Sequence, residues 1–215
     1  MDYPSSKVFH DISETECRRM MECFDAYERR YTAGQTICEY NQGSTLVGIL
    51  ESGSASLIRI DVYGVRTILE TLSPGEMFGE ALAFSGLSED SIAVVCDKDA
   101  KALFFEYSHI TRPCSNTCAH HTQLLENIIR LMAQKSMALS ERIEVLSRRT
   151  IRDKLLCYFS LQATRHNSHT FELPFSISAL ADYICSDRSA MMREMKNMRQ
   201  SGLILADGRK ITLLL

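Results

Sequence analysis

No apolar run in this 215-residue chain approaches the roughly 20 residues needed to cross a bilayer. Residues 1–12 lack the basic start and apolar core of a signal peptide. Those two absences predict a cytoplasmic protein with no membrane partner. Eight cysteines are present, but their spacings are irregular and no export signal accompanies them, so they do not form a disulfide framework. Most are expected to be reduced thiols, with Cys157 packed in a core. No nucleophile, general base and orienting partner can be assembled, which argues against an enzyme.

What remains is a chain with 45% hydrophobic residues, enough to bury one large or two modest cores. Charge favours two. Residues 1–146 hold 13 basic and 21 acidic side chains, whereas residues 147–215 hold 11 basic and 6 acidic. The overall net charge of −3 hides a basic C-terminal third, the mark of a nucleic-acid end joined to a part with another task.

Residues 12–30 predict a short helix, with Ser13 as cap, Glu16 at the capping-box position and Met20, Met21 and Phe24 on one face. Residues 36–105 change texture. Short apolar segments at 45–50, 55–60, 67–72, 92–96 and 102–106 are punctuated by Gly34, Gly43, Gly53, Gly64 and Gly75, the pattern of a compact antiparallel barrel or roll. Residues 117–146 contain neither Gly nor Pro, and Leu125, Ile129, Met132, Ser136, Leu139, Ile143 and Leu146 alternate steps of four and three. Such a stripe, on a helix of about 45 Å, suits pairing with a second copy of the chain. A further helix is expected over 150–163.

Residues 176–193 read as two short helices broken by a polar turn. Leu180, Tyr183 and Ile184 form one apolar face and Cys185-Ser186-Asp187 interrupts it. Met191, Met192, Met195 and Met198 carry a second apolar face onward to Gly202. Asp187 can cap the second helix, whose other face offers Arg188, Ser189, Arg193 and Lys196 to solvent. Two strands around Asp207-Gly208 complete a wing. An exposed basic helix held across another helix suits a DNA major groove.

The order of parts, with Leu72-Ser73-Pro74-Gly75-Glu76-Met77-Phe78-Gly79-Glu80 and residues 180–193 as its most specific pieces, resembles the CRP/FNR family of bacterial transcription regulators. The likeness covers almost the whole chain. It implies an α+β protein. An antiparallel, jelly-roll-like β-roll over 1–116 would sense an effector, a dimerisation helix would span 117–146, and a winged helix-turn-helix DNA-binding domain would occupy 147–215. The implied partners are a second copy of the chain, double-stranded promoter DNA, RNA polymerase and an unidentified small-molecule effector.

In cyclic-nucleotide-binding relatives, the Glu matching Glu80 takes the ribose hydroxyl and an Arg about ten residues later holds the phosphate. Here the matching place reads Glu89-Asp90-Ser91. A carboxylate there repels a phosphate, so cyclic AMP is not the expected effector. The implied pocket takes in Gly79, Glu80, Ala81 and Ser91, with Arg66 or Lys135 as a replacement charge. Carried over in the same way, Arg188, Ser189 and Arg193 face base edges, and Arg188 and Arg193 could each bond a guanine. Ser189 stands where many relatives have Glu and, as Ser, is less selective. Ser176, Ser178 and Lys210 are implied phosphate contacts.

Cys114, Cys118 and His121 fall at steps of four and three ahead of the long helix. They could present two thiolates and an imidazole on one face, as a metal or thiol redox sensor, or could simply pack at the helix start. The resident cofactor, if there is one, is left unassigned. A second alternative function is a cyclic-nucleotide-binding regulatory module acting on a protein partner.

Overall fold

A computed structural model describes residues 6–40, 45–85, 92–111 and 120–214. The chain divides into two compact units, Met1–Ala133 and Gln134–Leu215.

In the first unit, helix α1 (Glu14–Cys23) begins where Ser13 Oγ accepts from the Glu16 amide, and it buries Cys17, Met20 and Met21. The expected helix over 12–30 stops short. Asp25 adopts a left-handed conformation (φ 49°), and the chain re-emerges as strand β1 (Tyr27–Tyr31). Strands β2 (Thr36–Tyr40), β3 (Leu46–Ile60), β4 (Arg66–Leu72), β5 (Met77–Phe78) and β6 (Ile92–Glu106) complete an antiparallel sheet, with helix α2 (Glu80–Ser85) before β6. Helix α3 (Tyr107–Thr111) follows β6, and helix α4 (His121–Leu146) gives its first half to this unit.

Strand β6 organises the sheet. It pairs with β2 near its start (Tyr40↔Ile92), with β1 near its end (Tyr27↔Phe104), and with β3 along its length (Arg59↔Ile92 to Leu46↔Glu106). The segments expected at 45–50 and 55–60 are one strand, as are those at 92–96 and 102–106. Gly53 does not end β3. It sits at positive φ (85°), where a Cβ would lie 2.2 Å from Asp99 O, and the register shifts between Leu50 and Ala55. Glycine therefore bends this strand through a bulge instead of terminating it.

Both faces of the two long strands are buried. Val47, Ile49, Leu103 and Phe105 join α1 and Leu124 and Ile128 of α4 in one cluster, while Leu50, Ala102 and Phe104 join Leu72, Phe78 and Val94 in another. Alternation was weak in the sequence for that reason.

The second unit holds the rest of α4, helix α5 (Ile151–His166), strand β7 (Thr170–Glu172), helices α6 (Ile177–Tyr183) and α7 (Arg188–Gln200), and strands β8 (Ile204–Asp207) and β9 (Lys210–Leu213). The strands form an antiparallel sheet in the order β7-β9-β8. Thr150 caps α5 by accepting from the Asp153 amide, and Asn167 (φ 47°) ends it. Leu155, Phe159, Leu180, Ile184, Met191, Met195, Met198 and Ile211 form its core. This is an α+β architecture of roll, long helix and winged helix-turn-helix. Among the described residues no helix is long and apolar enough to cross a membrane.

Candidate nucleic-acid interface

The turn between α6 and α7 is set by three residues. Ile184, Cys185 and Ser186 donate their amides back to Leu180, Asp182 and Ala181, and Cys185 takes a left-handed conformation (φ 50°). Asp187 Oδ1 then accepts from the Ala190 amide at 2.9 Å and from Ser189 Oγ at 2.6 Å, starting α7. The hydroxyl of Ser189 and these amide bonds hold the Asp187 carboxyl below its ordinary range. On the outer face of α7 stand Arg188, Ser189, Arg193 and Lys196, all exposed. Met191, Met195 and Met198 face inward. Met192 corrects the expected apolar face, because it is 46% exposed and lies on the solvent side.

Two bonds fix the helices to α5. Arg152 Nε donates to Glu194 Oε1 at 2.6 Å, which lowers the Glu194 carboxyl from its usual range, and Asn197 Nδ2 donates to the other oxygen at 3.3 Å. Lys154 Nζ donates to the Ile184 carbonyl at 2.9 Å at the end of α6. From α4, the Arg142 guanidinium lies over the Tyr183 ring at 5.4 Å, beside Tyr158 and Phe175. None of these partnerships was found in the sequence. Arg152 and Glu194 are 42 residues apart, and no periodic pattern links them.

Ser176 caps α6, its Oγ accepting from the Ala179 amide at 3.2 Å, and its hydroxyl proton is left to donate outward. Ser178 is half-buried within α6. Lys210 is exposed on β9, but Glu172 and Asp207 are its cross-strand partners on either side. The Arg209 guanidinium pairs with the Glu172 carboxylate, so Asp207 is the carboxylate beside Lys210 that weakens its pull on a phosphate.

In the roll, Gly79 has φ 83°, and a Cβ there would meet the Tyr40 hydroxyl at 1.9 Å and Leu46 O at 2.8 Å. Only glycine lets the chain turn against the Tyr40 ring. Tyr40 is 3% exposed, and burial pushes its phenol well above its ordinary value, with the Cys38 and Glu80 charges acting in the same direction. Glu80 is 3% exposed at the start of α2, and Ala81 is exposed beside it. Arg66 opens β4 in an exposed position, paired in register with Ile60. Lys135 is half-exposed on α4, in the second unit. Ser91, with Glu89 and Asp90, lies outside the described residues.

Cys114 and Cys118 also lie outside the described residues. His121 Nε2 is 2.5 Å from the Ile110 carbonyl, so that nitrogen carries the proton, and the ring meets Phe24 edge-on. Cys157 packs against the core of the second unit, as expected, but only in part. It is half-buried, its Sγ is 3.7 Å from Glu144 Oε1, and with Arg148, Ser160 and Arg165 it lines a cavity of about 700 Å³.

On α4, Leu124 and Ile128 are buried in the roll's core, whereas Ile129, Leu139 and Ile143 are 58%, 61% and 67% exposed. Three large aliphatic side chains of one heptad stripe therefore face away from their own chain.

Residues 28–116 match the cyclic nucleotide-binding domain family. The transcriptional activator protein FnrL of Cereibacter sphaeroides is 20% identical over 197 residues, covering 86% of this chain and 75% of its own length. A structure of CprK complexed with OCPA superposes with a TM-score of 0.67 at 12% identity, covering 94% of this chain and 92% of that one. The c-di-GMP-responsive global regulator CLP of Xanthomonas campestris gives 0.58 at 16% identity, covering 94% and 99%. At these identities the two structures show a shared fold.

Proposed function

Because the chain belongs to the CRP/FNR family of bacterial transcription regulators, we propose that it acts as a homodimer on promoter DNA, with α7 in the major groove. The carrying observation is the outer face of α7. Arg188, Ser189, Arg193 and Lys196 are exposed there, while Met191, Met195 and Met198 anchor the opposite side in the core. Arg188 and Arg193 would read base edges, and Ser176, Ser178 and Lys210 would contact phosphates. The exposed Ile129, Leu139 and Ile143 support pairing of α4 with its copy. The roll over 1–116 would receive the signal, the helix over 117–146 would pair the chains, and residues 147–215 would bind DNA at half-sites about one helical turn apart.

The signal is a small molecule other than cyclic AMP. Asp90, which stands in the sequence where a phosphate-holding Arg would, opposes a cyclic phosphate. Whatever binds must favour the state with correctly spaced recognition helices, since only differential affinity shifts the population. The test is fluorescence-anisotropy titration of the full chain against a duplex selected from a randomised inverted-repeat library, at several salt concentrations. Sequence-dependent affinity with a steep salt slope is expected. Equal affinity for selected and scrambled duplexes would overturn the reading.

A further inference from the structure

Serine in a major groove is ordinarily ambivalent, because a free hydroxyl can donate to guanine or thymine or accept from cytosine or adenine. In this chain the single hydroxyl proton of Ser189 already has a destination. Ser189 Oγ lies 2.6 Å from Asp187 Oδ1, and the same oxygen accepts the Ala190 amide at 2.9 Å. A carboxylate has no proton to return, so the direction of this bond is fixed. Only the lone pairs of Ser189 Oγ remain to face outward.

Docking on DNA strengthens the arrangement. As water leaves the interface, the Asp187 carboxylate loses alternative donors and the cost of leaving it unsatisfied rises. Turning the Ser189 proton toward a base acceptor would strip the cap of its hydroxyl bond just when solvent can no longer replace it. Arg188, immediately before Ser189, and Arg193 supply donors to guanine from the same face, so the helix would offer two donors and one acceptor.

We propose that Asp187 makes Ser189 an obligate hydrogen-bond acceptor, so that this position of the operator demands the amino group of cytosine or adenine. The inference rests on the reading of α7 as the recognition helix. It replaces the expectation that Ser189 is unselective with a defined preference. Asp187 is then a positioning residue as well as a helix cap, and acts on DNA through Ser189.

The test uses the full-length protein and a duplex library with two randomised half-sites, scoring relative affinity at every position for wild type and four variants. Wild type should prefer cytosine or adenine over guanine or thymine at one position per half-site, on the order of fivefold for one added hydrogen bond. Ser189→Ala should flatten that position to within about twofold and leave the others unchanged, and Ser189→Thr should restore it. Asp187→Gly removes the carboxylate at a cap position where glycine is tolerated, which releases the hydroxyl proton and should broaden the preference to take in guanine and thymine. Arg188→Ala should alter a different position. A preference that Ser189→Ala leaves intact, or one that Asp187→Gly does not broaden, overturns the acceptor role while leaving DNA reading by α7 in place. Absence of sequence preference at every position in wild type overturns both.

Discussion

Replacing one of two adjacent methionines on the recognition helix separates its core face from its DNA face. Met191 is fully buried and Met192 is 46% exposed. Met191→Ala removes three buried heavy atoms, about 2 kcal/mol of transfer free energy. A partly relaxed cavity of roughly 60 Å³ adds about 1.5 kcal/mol. The sum, about 3 to 4 kcal/mol, falls within the second unit because Met191 packs in the same cluster as Leu155, Phe159 and Ile211. Met192→Ala should change stability by no more than about 0.5 kcal/mol. Hydrogen exchange read by mass spectrometry on peptides from α5 reports this core, although α5 itself is unaltered. Its slowest amides should exchange several hundredfold faster, on the order of 10²–10³, in Met191→Ala and within about twofold of the wild-type rate in Met192→Ala. Equal acceleration in both variants, or a larger effect at Met192, would refute the orientation of α7 on which the DNA face depends.

Arg188→Ala should relax base preference as well as weaken binding, whereas Lys210→Ala should weaken all sequences alike and reduce the salt slope by less than one phosphate contact, given Asp207 beside it; competition titrations at several salt concentrations separate the two. Alkylation followed by mass spectrometry at pH 8 should modify the exposed Cys185 well before Cys17 and Cys38. Cys17 and Cys38 should stay largely unmodified, since burial pushes each thiol up to about 11 and reaction requires the thiolate. The Arg152–Glu194 pair makes a signed pH prediction. The Glu194 carboxyl is lowered in the folded chain, so its contribution is present above its unfolded value of about 4.3 and is lost as pH falls through the lower folded value. Exchange protection of α7 should therefore drop below about pH 4 in wild type, and Arg152→Ala should remove that dependence; identical pH profiles would contradict the clamp.

The second unit was read more fully than the first, for physical reasons. Capping is local, so Ser13, Asp187 and the Asp207-Gly208 turn were visible in a few consecutive residues. The two faces of α7 were visible through helical period, except that Met192 sits at their border. In the roll, β3 and β6 are buried on both sides, which erases the period-two signal, and Gly53 bends a continuous strand where it was read as a break. The short β5 and β7 have too few residues for any pattern. Side-chain pairs made by the fold, such as Arg152 with Glu194, Arg142 with Tyr183 and Tyr40 with Gly79, join positions far apart in sequence and carried no signal. The hydroxyl direction of Ser189 is different again, because both partners were in plain view and only the distance between them reveals the bond.

The central claim is that two chains, paired through α4, place two α7 helices on one inverted repeat. Sedimentation of the full chain with a selected duplex, compared with Ile143→Glu, measures it directly. Ile143 is 67% exposed on the stripe that would pair. The account predicts two chains per duplex for wild type, and a monomeric Ile143→Glu with unchanged exchange protection in α5 but at least a hundredfold weaker binding, since one half-site loses the gain of the other. One wild-type chain per duplex, or an Ile143→Glu variant that still binds as a dimer with full affinity, would contradict it.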